Sequence, residues 1–105
     1  MLQDMPKVNN GASSGGGNLS VVYGTVTWSS SGINIPTTKK AIGVSMLVNT
    51  GYWSNPVVFA FSTGEVYNNG NVDTTHPFVF TDNSISCSVA YDSNNRSIQY
   101  YVIYD

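Results

Sequence analysis

Charge is what this chain has least of. Charged residues make up 10% of its 105 positions, against about a quarter in an ordinary globular domain. The four basic residues, Lys7, Lys39, Lys40 and Arg96, are scattered, and the formal net charge is −2. A nucleic-acid partner needs several cations on one face, so none is expected. Cysteine is almost absent as well. Cys87 stands alone, which excludes an intrachain disulfide and any thiolate metal site assembled from one chain. Its place in an alternating segment makes it a small core residue, and a lone buried thiol fits assembly in a reducing cytoplasm. No run approaches the roughly 18 apolar residues that a spanning helix needs, so membrane insertion is not expected. Met1–Lys7 has no apolar centre to serve as a signal peptide, so any export would not rely on a signal of the chain's own.

Helical periodicity is missing throughout, and period-two alternation takes its place. In Ser84–Tyr91, Ile85, Cys87, Val89 and Tyr91 alternate with small residues. In Ser97–Asp105, Ile98, Tyr100, Val102 and Tyr104 fill one face while Tyr101 and Ile103 make the other apolar too. With Asp92–Arg96 between them as a short turn, these two arms are expected to pair as a terminal hairpin. The second arm is expected to be a central strand on which the chain ends. A strand apolar on both faces needs two covers, one of them supplied by the rest of the chain or by a neighbouring copy.

Residues 1–19 read as a flexible Gly/Ser-rich segment, and 20–105 as one domain. Val21–Trp28 is a strand in which Val22, Val26 and Trp28 share a face, and Gly24 marks either a bulge or a large side chain lying over the gap. Ile33–Pro36 is a short strand that Pro36 ends or confines to an edge. Ala41–Val48 turns Ile42, Val44, Met46 and Val48 to the core. Val57–Phe61 is expected to point Val57, Phe59 and Phe61 inward. Glu65–Tyr67 and Phe78–Phe80 are weaker strands, and Asn68–Pro77 is the longest polar loop. About eight short strands separated by turn signals describe an all-β, compact antiparallel β-sandwich.

The residues that could carry chemistry are sparse. His76 is the sole histidine, a thin basis for a serine–histidine pair. Glu65, Asp73, Asp82 and Asp92 sit on separate turns, each with the plain reading of a turn residue rather than half of a hydrolytic pair. Asn71–Asp73 and Asp92–Asn95 look like fragments of oxygen-ligand loops without the closing glutamate of a calcium loop. No catalytic residue, metal or cofactor is expected. Tyr52, Trp53 and Tyr67 lie in or beside loops, where an amphipathic ring can stack on a sugar or pack at an interface; Trp53 has the alternative of folding back as a lid on the core. With the amides of Asn69 and Asn71 and the ring of His76, they form the candidate binding set, suited to a neutral polyhydroxylated ligand.

Five segments together resemble the C-terminal tip domains of bacteriophage tail-fibre proteins. They are Tyr23–Trp28, Ile33–Pro36 before Ala41–Ser45, Phe80–Ser86, and the aromatic ending Tyr100–Tyr104. The resemblance implies a homotrimeric β-structured knob, assembled in the bacterial cytoplasm and carried on the virion tail, that contacts a host surface glycan or protein. It carries over no binding residue, because only framework strands match. It also departs from the family in having residues 1–19 where a long shaft normally stands. Two other readings stay open: a carbohydrate-binding module of a secreted bacterial protein, with a flat exposed row of rings on a monomer, and a purely structural trimerisation module.

Overall fold

Strand formation here follows from β-branched and aromatic residues alternating with Ser, Thr and Asn, which pleat into half-buried ladders. The computed structural model describes residues 19–52 and 54–105; the segment read as a linker lies outside them, save Leu19. Nine strands form: β1 Ser20–Trp28, β2 Ile33–Pro36, β3 Gly43–Asn49, β4 Val57–Phe61, β5 Val66–Asn68, β6 Asn71–Val72, β7 Val79–Phe80, β8 Ser84–Cys87 and β9 Arg96–Tyr104. They make a six-stranded sheet in the order β1-β9-β3-β4-β5-β6 and a three-stranded sheet in the order β2-β8-β7, every pair antiparallel. This is the expected all-β sandwich.

The core lies between the sheets. Val44, Met46, Val48, Val58, Ala60, Ile98, Tyr100 and Val102 come from the large sheet, and Ile33, Ile35, Ile85 and Cys87 from the small one. Cys87 is thus the small core residue its spacing predicts. Gly24 sits opposite Tyr100 in an unbroken register, and a Cβ there would come within 2.9 Å of the Tyr100 ring at Cε1. Of the two readings of Gly24, the overlying side chain is therefore correct. Pro36 ends β2, which is an edge strand.

Several expectations are corrected. The last two arms do not form a hairpin: β8 pairs with β2 and β7 in the small sheet, while β9 lies between β1 and β3 in the large one. The strand stops at Cys87, and Ser88–Asn95 is the crossover between layers, with Val89 exposed. β4 is turned the other way: Val58 and Ala60 face inward, Phe59 and Phe61 outward. The reason is room, because Met46 of β3, Tyr100 of β9 and Trp28 already fill the interlayer space, which accepts Val and Ala beside them. Val22 is on the inward side yet exposed, since it lies toward the end of an edge strand. Ile42 precedes β3 and is also partly exposed.

Candidate functional site

The sandwich has two unlike ends. β1 begins at Ser20, paired with Tyr104, and ends at Trp28, paired with Arg96. At the Ser20 end lie Thr37–Ile42, Ser62 and Asn83, held by Thr37 N–H to Asn83 O (3.0 Å) and Ser62 N–H to Ile42 O (3.0 Å). Thr38 N–H donates to the Tyr104 hydroxyl at 3.3 Å, and Lys39 Nζ to the Asp105 carbonyl at 2.9 Å. Both the residues leading into the sandwich and the residue after β9 are therefore at this end. The opposite end, about 30 Å away along a nine-residue strand, is made of the turns at Ser29–Gly32, Asn49–Pro56, Asn69–Gly70 and Asp92–Asn95.

That far end is fastened by Arg96. Its guanidinium grips the Asp92 carboxylate through Nε (3.1 and 3.0 Å) and Nη2 (2.7 Å), and its Nη1 donates to the Thr50 carbonyl at 3.1 Å. The grip holds the Asp92 carboxyl below its usual range. Within the Asn49–Pro56 loop, Gly51 N–H donates to Asn49 Oδ1 (2.9 Å), with Gly51 at φ +81°, and Thr50 N–H donates to Asn55 Oδ1 (3.1 Å). Gly51 supplies the left-handed conformation that an ordinary side chain resists. The result is a hydrogen-bonded loop that presents the Tyr52 ring with 75% of its surface exposed. Trp53 is one position outside the described residues.

Asn69 joins this end. Its N–H donates to Val57 O at 2.7 Å, and with φ +52° at Asn69 and +88° at Gly70 the pair forms the two-residue turn of a β5–β6 hairpin. The sequence reading treated Asn68–Pro77 as one loop; the Asn-Gly pair was the available signal of this hairpin. Asn71 belongs to the same hairpin, paired with Asn68 and exposed. Tyr67 is elsewhere: it stands on the outer face of the large sheet, edge-on to Phe61 at 6.2 Å. The candidate set is therefore divided, with Tyr52 and Asn69 at the loop end and Tyr67 on the sheet.

His76 serves the interior. Its Nδ1 lies 2.8 Å from Asp73 Oδ2, and its Nε2 lies 3.1 Å from the carbonyls of both Ala90 and Tyr91. The ring packs edge-on to Trp28 (5.5 Å) and stacks on Tyr91 (5.6 Å). Trp28, fully buried, donates from Nε1 to Val89 O at 2.8 Å. Together these residues bind the segment after β6 and the crossover into β9 around one tryptophan. Both ring nitrogens of His76 are engaged within the chain, so neither is left to serve as a base toward a ligand.

The carboxylates are likewise occupied. Asp73 Oδ1 accepts Thr75 N–H (2.7 Å), Thr75 Oγ1–H (2.8 Å) and His76 N–H (3.1 Å). Burial pushes its carboxyl up, but the hydrogen bonds from His76 and Thr75 outweigh that and hold it well below the usual range. The Thr63 hydroxyl does the same for exposed Glu65. Glu65 and Asp73 border a shallow groove of about 360 Å³ with Val66, Tyr67, Val72 and Pro77. A glycosidase acid needs a raised pKa, and both carboxyls are shifted the opposite way. Among the described residues, no group of three or more His, Cys, Asp or Glu is placed to hold a metal ion.

The feature that sequence reasoning saw only in part is the outer face of the six-stranded sheet. One row across the strands reads Tyr23, Tyr101, Ser45, Phe59, Tyr67, Val72, and the row beside it Val21, Ile103, Gly43, Phe61. Tyr23 and Tyr101 are about half exposed, at 52% and 50%. Ile103 is half-buried. The second cover expected for Tyr101 is thus not supplied by the described part of the chain. No protein-family model, no curated protein and no solved structure matches this chain.

Proposed function

We propose that this chain is a non-enzymatic attachment module: the tip domain of a bacteriophage tail fibre, homotrimeric on the virion, that contacts a neutral glycan on the host surface. The observation that carries this reading is the polarity of the sandwich. Residues 1–18 join it at one end, and the Arg96-fastened loops with the Tyr52 ring and the Asn69 amide stand at the other. A module held from one end and presenting an exposed aromatic at the other is built to touch something at a distance from its mooring. A tyrosine ring near neutral amides suits a polyhydroxylated surface. The same end carries no excess of cations for an anionic one.

The test is a glycan array probed with the intact chain. Tyr52→Ala is expected to lower the signal on neutral oligosaccharides about tenfold, the loss of one stacked ring, with the thermal midpoint unchanged. Full binding by a folded Tyr52→Ala variant would refute the assignment of the loop end. A second reading, a carbohydrate-binding module, is favoured by the row of rings on the large sheet. It predicts a monomer whose sugar binding is lost on Tyr101→Ser and indifferent to Tyr52.

A further inference from the structure

We infer that the outer face of the six-stranded sheet is the surface on which copies of this chain meet. The inference rests on the tip-domain reading for the number of copies, and on the face itself for everything else.

The face is largely apolar, with Ser45 in its middle and the Glu65 carboxylate at its margin beside Tyr67. Tyr23, Tyr101, Phe59 and Tyr67 lie across four strands, with Val21, Ile103 and Phe61 on one side and Leu47 and Val57 on the other. Among the described residues of the sheet, those facing outward include no Lys, Arg, Asp or Glu. With its one carboxylate at the margin, such a face meets its own copy with little like-charge penalty. Toward the loop end it passes into Thr25, Thr27, Ser97 and Gln99, a neutral hydroxyl and amide border of the kind that rims an apolar contact.

The area fits. A fully buried aromatic covers 150–250 Å², so the partly exposed residues of this face offer on the order of 700 Å² per copy, near the ~800 Å² that each partner gives to a stable two-copy interface. That is larger than the ~300–600 Å² patch usual on a monomer. The ring geometry favours a protein over a sugar as occupant. Phe59 and Phe61 are parallel to within 10°, but Tyr23 and Tyr101 are tilted by 53° and Phe61 stands at 76° to Tyr67, so the rings across the strands offer no common plane to a pyranose. The aliphatic side chains beside them give sugar hydroxyls no partner, whereas they interdigitate well with an apposed sheet.

Equilibrium sedimentation of the full chain and three variants decides the matter. The wild type is expected at three times the 11.3 kDa chain mass. Phe59→Lys and Tyr101→Lys, each placing a charge in the contact, are expected to weaken association on the order of a hundredfold. Val79→Lys, exposed on the other sheet, is expected to leave it unchanged. Should a lysine at 59 or 101 prevent folding, Leu47→Lys at the margin of the face carries the same test. A dimer or tetramer that the face variants disperse would uphold the face and overturn the threefold, fibre-tip part of the reading. A wild type that stays monomeric at 100 µM, or an oligomer that neither face variant weakens, would overturn the face as the meeting surface. The monomer would leave it to a glycan or to residues 1–18.

Discussion

At the scale of single residues, Asp73 does the most for its size. One partly buried carboxylate satisfies two backbone N–H groups, a hydroxyl and the His76 ring, and through His76 it ties the β6–β7 connection to the Ala90 and Tyr91 carbonyls. Asn in its place would turn an amide N–H₂ toward donors. Asp73→Asn is therefore expected to lower stability at pH 7 by about 1–3 kcal/mol, the cost of breaking a partly buried charged hydrogen bond. The pH dependence follows from the downward shift. The folded carboxyl titrates below the unfolded one, whose pKa is about 3.9, so its contribution is fully present above that value and is lost as pH falls through the folded pKa. Urea midpoints measured from pH 6 to pH 2.5 should show the gap between wild type and Asp73→Asn closing toward the acid end; a gap that stays constant would contradict the assignment.

At the scale of elements, the pairing of β1 with β9 is the test of register. Gly24 is where it is because the Tyr100 ring occupies the space of its side chain, so Gly24→Ala should push that ring into a filled core and cost about 1–3 kcal/mol by overpacking, read as a lowered thermal midpoint. A neutral effect would mean that the ring does not lie there. Alternation made β3 and β9 legible in the sequence, because one of their faces is consistently larger and more apolar, and it offered an overlying ring as one explanation of Gly24. It failed at β4, where Val57, Phe59 and Phe61 compete with Val58 and Ala60 and no polar face chooses between them; the choice was made by the volume left beside Met46 and Tyr100. It failed also for the closing arms, since a period of two says which face of a strand is buried and nothing about which sheet it joins. Of the candidate residues, the placement of Tyr52 and Asn69 in turns was legible from loop chemistry. The interior role of His76 was not, because its partners Ala90 and Tyr91 lie 14 and 15 positions away.

At the scale of the whole molecule, the two sheets have unequal work. The small sheet covers the inner, more apolar face of the large one, and the outer face has no layer over it in the described chain although it carries a row of aromatic and aliphatic side chains. Polarity along the strands and the bare face at right angles to them are compatible: copies packed by their large sheets about an axis along the strands would point every Tyr52-bearing end the same way, which presents several weak contacts at once and multiplies their strength without any new one. The sharpest measurement of this account is hydroxyl-radical footprinting of the intact chain, comparing tyrosines in one sample. Tyr23 and Tyr101 should be modified several-fold more slowly than Tyr52, although both are half exposed in the single chain. Modification of Tyr101 at a rate comparable with Tyr52 would show the face open to water and contradict its burial between copies.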